Sequence, residues 1–296
     1  MRTTWRLALL LVLSGALLAC SPVGILNALT PESAYRKTAD VVFGDDPRQR
    51  LDVYTPRDLQ TAAPVVVFFY GGSWNSGARA DYQFVGEALA SKGLVAVIAD
   101  YRLYPQVRYP AFLQDGAQAV AWTTREIRRY GGDPAQLFVM GHSAGAYNAA
   151  MLALDPRLLG AVALSPQALR GWIGLAGPYD FLPIVNPSVR PVFFYPNSPA
   201  DSQPINHVSA AAPPALLLAA EDDDLVNPQR NSGGLANKLR AVGVSVEEHY
   251  YGRTNHLTLV ASLARPLRGL APVLDEVERF VRSDGGRTPW RAPGDR

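Results

Sequence analysis

Short apolar runs alternate along the chain with longer stretches in which apolar residues recur every three or four positions. The runs "PVVVFFY" (64–70), "LVAVIADY" (94–101) and "LFVMGH" (137–142) are apolar almost throughout, as strands covered on both faces must be. Further strands are predicted at "GWIGLAG" (171–177), "ALLLAA" (215–220) and "VSVEEHYY" (244–251). Upstream, "ADVVFG" and "RLDVYTP" flank Gly44 to Pro47 and predict an antiparallel hairpin at a sheet edge. Residues 111–129 place Phe112, Ala119, Trp122 and Ile127 at helical spacing, closed by "YGGDP", and residues 231–241 and 270–282 predict two later helices. Strands separated by helices in this way predict an α/β fold with a mostly parallel central sheet and helices on both faces.

One stretch breaks the rhythm. Residues 178–214 hold nine prolines and an aromatic cluster with little helical or strand period, the composition of a lid or binding segment. Both ends also stand apart. Residues 20–37, with Pro22, Gly24 and Pro31, read as a tether, and the Gly/Pro-rich residues 283–296 read as a disordered tail. That leaves a single domain over 38–282, a length that can bury one sizeable core.

At the N-terminus, Arg2 and Arg6 precede an apolar run from Leu7 to Leu18, too short for the roughly 20 residues that a bilayer span needs. Residues 1–19 therefore read as an export signal. The run ends in "LLAC", and Cys20 is the only cysteine of the chain, so no disulfide can form within it. Removing the signal leaves 26 basic against 26 acidic residues. With that balance, and without a Lys/Arg cluster interleaved with aromatics, nucleic acid is not an expected partner.

The candidate chemistry begins at "GHSAG" (141–145). A G-x-S-x-G match arises by chance in roughly one chain in ten of this size and composition, so its context carries the weight. Here an apolar strand leads in and an alanine-rich helix leads out, as a sharp strand-to-helix turn requires if it is to lift the Ser143 hydroxyl clear of the sheet. Such a serine needs a base, and the chain has four histidines. His142 lies within the turn and should point away from Ser143; His249 falls in a strand, and His207 in the irregular segment. His256, in "GRTNHLTL" after the last strand, lies where a parallel sheet presents side chains at its carboxyl edge. The orienting acid should come from "AAEDDDLVNP", where four consecutive acids leave the choice open. "YGGSW" (70–74) follows a strand, and its glycines would let backbone N–H groups approach a substrate oxygen.

These segments together resemble the α/β-hydrolases of the esterase/lipase group, which include carboxylesterases, feruloyl-esterase-like enzymes, prenylcysteine methylesterases and kynurenine formamidases. "YGGSW" is similar to that group's HGGxW loop, "ADYRLYPQVRYPAFLQD" to its D-Y-R-L-x-P segment, and "GHSAG" to its nucleophile turn. The resemblance implies the α/β-hydrolase fold, with a triad of Ser143, Asp223 and His256. Asp223 is chosen because it stands three residues before Val226, with Asp222 and Asp224 as alternatives. It also implies oxyanion donors at Gly72, Ser73 and Ala144, structural roles for Asp100, Arg102 and Asp115, and no metal or organic cofactor. Tyr70 departs from the pattern, in which a histidine supports the loop.

The implied activity is hydrolysis of a small-molecule carboxylic ester through an acyl-enzyme. An aryl formamidase or amidase, or a catalytically silent binding module on the same fold, are the alternatives. Trp74, Tyr179 and Phe181 are candidate pocket residues. "LLAC" with Ser21 resembles a bacterial lipoprotein signal. That resemblance implies lipidation of Cys20 and anchoring at the cell envelope, on the outer membrane facing the periplasm.

Overall fold

The computed structural model describes residues 22–290; the expected signal and Cys20 lie outside the described residues. Eight strands form one sheet in the order β1-β2-β4-β3-β5-β6-β7-β8. They are β1 (Tyr35–Val42), β2 (Arg50–Pro56), β3 (Ala63–Phe69), β4 (Val95–Ala99), β5 (Gly132–His142), β6 (Gly171–Leu175), β7 (Ala215–Ala220) and β8 (Val246–Tyr251). β1 and β2 form an antiparallel hairpin at one edge, β2 runs antiparallel to β4, and every other pairing is parallel.

The strands that read as apolar throughout occupy the middle of the sheet, where helices cover both faces and Val65 to Phe69, Val95 to Ala99 and Leu137 to Met140 are buried. The helices, in chain order, are α1 (Pro22–Ala28), α2 (Gln83–Ser91), α3 (Ala111–Glu126), α4 (Ala144–Leu154), α5 (Pro156–Gly160), α6 (Gly234–Ala241), α7 (His256–Ala261) and α8 (Val273–Arg282). On one face α2 packs against α8, and on the other α3 packs against α4, which lies across β3, β5 and β6.

Both ends differ from expectation. The segment read as a tether docks on the body. Asn27 in α1 donates to the Ala80 carbonyl at 2.7 Å and accepts from the Phe84 N–H at 3.3 Å, and Tyr35, buried against Tyr54, already belongs to the sheet. The tail also folds back as far as residue 290. Asp284 pairs with the Arg170 guanidinium, Arg287 donates to the Arg170 carbonyl at 2.7 Å, and Ser283 is buried. Gly285 (φ +70°) and Gly286 (φ +78°) give that return its left-handed turn. The glycines that suggested disorder are thus the residues that permit the fold-back.

Candidate active site

In a parallel sheet, the loops after the carboxyl ends of the strands share one rim. Phe69 of β3 pairs in register with Gly141 of β5, and Ala220 of β7 with Tyr251 of β8. The loops that follow these four positions carry the candidate residues, so the topology brings distant parts of the chain together.

At the end of β5 the backbone turns sharply, with Ser143 at φ 54° and ψ −121°. The two glycines of "GHSAG" allow this turn through close backbone approach. A Cβ on Gly141 would lie 2.1 Å from the Gly145 carbonyl oxygen, and one on Gly145 would lie 2.0 Å from the Phe69 carbonyl oxygen. No side chain fits in either place. The Ser143 N–H donates to the Leu175 carbonyl at 2.9 Å, and Ala144 opens α4, so its N–H has no carbonyl within the helix to bond.

Ser143 Oγ lies 2.8 Å from His256 Nε2, and His256 Nδ1 lies 2.7 Å from Asp223 Oδ2. The other carboxylate oxygen, Oδ1, accepts from the N–H groups of Leu225 and Val226, each at 2.9 Å. Burial pushes the Asp223 carboxyl up, but the hydrogen bond and charge of His256, with the two backbone donors, outweigh it and hold the group below the usual carboxylate range. Of the four acids in that run only Asp223 is buried; Glu221, Asp222 and Asp224 are exposed. His256 was expected in a loop but begins α7, whose N-cap Asn255 accepts from Leu257 N at 3.1 Å and Thr258 N at 2.9 Å. The cap fixes the helix start, and with it the imidazole.

Gly72, Ser73 and Trp74 all adopt positive φ (118°, 52° and 57°), an uncommon run for two non-glycine residues. A Cβ on Gly72 would meet the Ser76 carbonyl oxygen at 2.3 Å. Two supports hold this loop. The Trp74 indole sits edge-on to Tyr147 and Phe193, and its Nε1 donates to Asn148 Oδ1 of α4 at 3.0 Å. Tyr70, which stands in for a histidine, is buried and stacks on Tyr101 and Tyr82. Its hydroxyl donates to Asp100 at 2.7 Å and accepts from Arg48 at 2.7 Å, while Arg48 also binds the Gly77 carbonyl at 2.8 Å. Arg79 joins the same network through Asp52 and Asp100. Asp115 grips Arg102 through its side chain, and its carboxylate also accepts from the Arg102 N–H at 2.8 Å. Asp100, Arg102 and Asp115 thus brace the loops behind the site.

These elements surround a cavity of about 470 Å³ lined by Gly72, Ser73, Trp74, Ser143, Ala144 and His256, with residues of the irregular segment as its wall. Phe181 lines the cavity as expected, but Tyr179 does not. Asn231 Oδ1 accepts the N–H groups of Tyr179 and Asp180 at 2.7 and 2.9 Å, and the Tyr179 ring turns inward to pack edge-on against Trp172. Tyr82, Ile184, Val185, Leu225, Arg230 and Leu257 also line the cavity, and the sequence reading did not single them out. They come from four separate segments of the chain, and no local pattern marks them.

Of the other histidines, His207 and His249 make their contacts away from the triad. His207 Nε2 contacts the Asp201 carbonyl at 2.6 Å. His249 and Glu247 of β8 face Glu276 of α8; among the described residues this group has ligand atoms close enough for a metal ion, but Arg279 already bonds to both carboxylates and none of the three lines the cavity. His142, within the turn, is buried beside the triad base: its Nε2 lies 2.8 Å from the His256 carbonyl oxygen and its ring is 4.9 Å from the His256 ring. Burial, reinforced by the neighbouring His256, lowers its pKa to about 3, so it stays neutral.

The sheet order and the rim geometry are those of the α/β-hydrolase fold, and the chain is similar to esterases built on that fold. Residues 51–186 match the BD-FAE family. The chain is 35% identical over 150 residues to a probable isoprenylcysteine alpha-carbonyl methylesterase of Oryza sativa subsp. japonica, covering 49% of this chain and 36% of that protein. It is 32% identical over 224 residues to esterase LipC of Mycobacterium tuberculosis, covering 69% of this chain and 55% of that protein. The chain therefore spans only part of the length of these curated relatives. Among solved structures, esterase B from Lactobacillus rhamnosis superposes with a TM-score of 0.75 at 17% identity, over 94% of this chain and 97% of that one.

Proposed function

We propose that the protein is a serine hydrolase of small-molecule carboxylic esters that works through an acyl-enzyme. The observation that carries this reading is the unbroken path from Ser143 Oγ to His256 (2.8 Å) to Asp223 (2.7 Å), opening into the cavity. In the first step His256 Nε2 takes the Ser143 proton as Oγ bonds to the ester carbonyl carbon, and the carbonyl electrons move onto oxygen. The N–H groups of Gly72, Ser73 and Ala144 stabilise that oxyanion, at about 3 kcal/mol per donor. The tetrahedral intermediate collapses, His256 passes its proton to the leaving alcohol, and the acyl group stays on Ser143. Water, deprotonated by the same imidazole, then releases the acid. Asp223 keeps the imidazole in the tautomer that can accept at Nε2.

The names of the relatives support ester rather than amide cleavage, since those reported above are esterases or methylesterases. The reading extends to export and anchoring through a lipidated Cys20, supported by "LLAC" after the apolar run. The test is Ser143→Ala, which should lower p-nitrophenyl ester turnover by about 10⁴ or more and abolish labelling by a fluorophosphonate. Turnover near that of the unmodified protein would remove Ser143 from the chemistry. Faster cleavage of N-formyl anilides than of aryl esters would move the reading to an amidase.

A further inference from the structure

One buried titratable side chain beside Ser143 has no part in the steps above. His142 is 3% exposed, ends β5 and pairs in register with Leu175 of β6. Its Nε2 lies 2.8 Å from the His256 carbonyl oxygen. A carbonyl only accepts, so this neutral ring carries its proton on Nε2 and leaves a lone pair on Nδ1. Nδ1 is buried and meets no donor among the described residues. Gly71 closes it in: a Cβ there would lie 3.1 Å from Nδ1 and 3.0 Å from Ser143 Cβ. The imidazole therefore fills the space between the nucleophile turn, the oxyanion loop and the base.

For packing alone, histidine is a poor choice at this position. A buried nitrogen without a partner costs stability that an apolar side chain of similar size would not. The ring adds a second cost as pH falls, because burial and the neighbouring His256 keep it neutral against the pull of Asp223, while the unfolded chain takes up the proton. What histidine supplies and leucine cannot is the Nε2–H. Through the sheet, the path from Ser143 to His256 leaves β5 and crosses β6, β7 and β8 before it reaches α7. Through His142 it is one hydrogen bond, from the residue before the nucleophile to the main chain of the base. Asp223 holds the side chain of His256 at 2.7 Å, and His142 holds its backbone.

We propose that His142 is a positioning residue for ester hydrolysis: its Nε2–H fixes the His256 main chain where the imidazole reaches the Ser143 hydroxyl. This role rests on the esterase reading above. His142 moves no proton; the transfers stay between Ser143, His256, the leaving alcohol and water. Because its ring is uncharged and only 4.9 Å from that of His256, it also sets no positive charge against the imidazolium formed during attack.

The test compares His142→Leu, which keeps the bulk and removes the donor, with His142→Gln, whose side-chain NH₂ can take the place of Nε2–H. Turnover of p-nitrophenyl butyrate is measured at neutral pH, active sites are counted by fluorophosphonate titration carried to completion, and urea denaturation is followed at pH 7 and pH 5. His142→Leu should lower kcat per titrated site by about thirtyfold, the effect of moving a base by a fraction of an ångström, with KM changed less than about twofold. His142→Gln should return kcat to within about threefold of the unmodified protein. At pH 5 the Leu variant should unfold at a urea concentration equal to or above that of the unmodified protein, since it has neither the unpartnered nitrogen nor the linked proton. A lower midpoint at both pH values with normal kcat per titrated site would make His142 a packing residue and overturn the proposal, and a Leu variant that does not fold counts with that outcome. A Leu variant within about twofold of the original kcat, or a Gln variant as slow as the Leu one, also overturns it; each of these results leaves the esterase reading standing. If the unmodified protein cleaves no ester and takes up no fluorophosphonate, that reading fails and the positioning role falls with it.

Discussion

Replacing Asp223 by Asn keeps the shape of the site and reverses one hydrogen. The amide oxygen can still accept from Leu225 and Val226, as Oδ1 does now at 2.9 Å each, so the loop has no reason to move. Its NH₂ group then takes the place of Oδ2 and faces His256 Nδ1 across 2.7 Å. Two donors cannot share that contact, so the imidazole must present a lone pair at Nδ1 and carry its proton on Nε2. That proton points at Ser143 Oγ, and the base is lost. The same exchange of roles in a Ser-His-Asp site costs about 10⁴ in kcat, or roughly 5.5 kcal/mol of barrier at 1.36 kcal/mol per tenfold. KM should change little, because Asp223 does not line the cavity. The assay is steady-state turnover of p-nitrophenyl butyrate at neutral pH, with urea denaturation to establish that the variant is folded. Asp222→Asn and Asp224→Asn, both at exposed positions, are the matched controls and should stay close to the unmodified rate. A folded Asp223→Asn protein with more than about a hundredth of the original kcat, or an equal loss in either control, would refute the reasoning.

Gly145→Ala forces a methyl group into the Phe69 carbonyl, a backbone atom that cannot swing aside, and should cost at least about 3 kcal/mol by urea denaturation; a loss under 1 kcal/mol would mean that the turn relaxes freely. Tyr70→Phe removes the hydroxyl between Arg48 and Asp100, and should lower stability by about 1–3 kcal/mol and reduce kcat more than it alters KM, as the 71–77 loop loosens. His142, neutral down to about pH 3 when folded, regains an ordinary pKa near 6.5 on unfolding. The unfolded chain therefore binds the extra proton as pH falls below about 6.5, and stability drops with it, by about 2 kcal/mol at pH 5. Denaturation at pH 7 and pH 5 should show that drop reduced by this amount in His142→Asn, and an unchanged pH slope would contradict it.

Much of the site was legible because its chemistry needs particular residues in particular contexts. The glycines of "GHSAG" signal a turn through the space they leave empty, and the distances at Gly141 and Gly145 give the physical reason. Apolar runs located the central strands because burial on both faces leaves no alternation to misread. Asp223 was harder, since four adjacent acids look alike in sequence; burial and two backbone donors distinguish it only after β7 has been placed. Tyr179 was misplaced because its direction is set by Asn231, fifty-two residues away, and no local period carries that information. The N-terminal segment was misread for a similar reason. Its composition suits a tether, and its docking depends on the Ala80 carbonyl and on the Phe84 N–H at the start of α2, both distant in sequence.

The open sheet has another consequence, which concerns neighbouring copies of the molecule. Two outer strands, β1 and β8, each leave a row of peptide groups free to pair with a stranger. Both rows are guarded by charge: Arg36, Lys37 and Asp40 on the first, Glu247 and Glu248 on the second. End-to-end joining of sheets would press these ionic groups together and strip their water, so crowding many molecules onto a small area should not zip them into fibres.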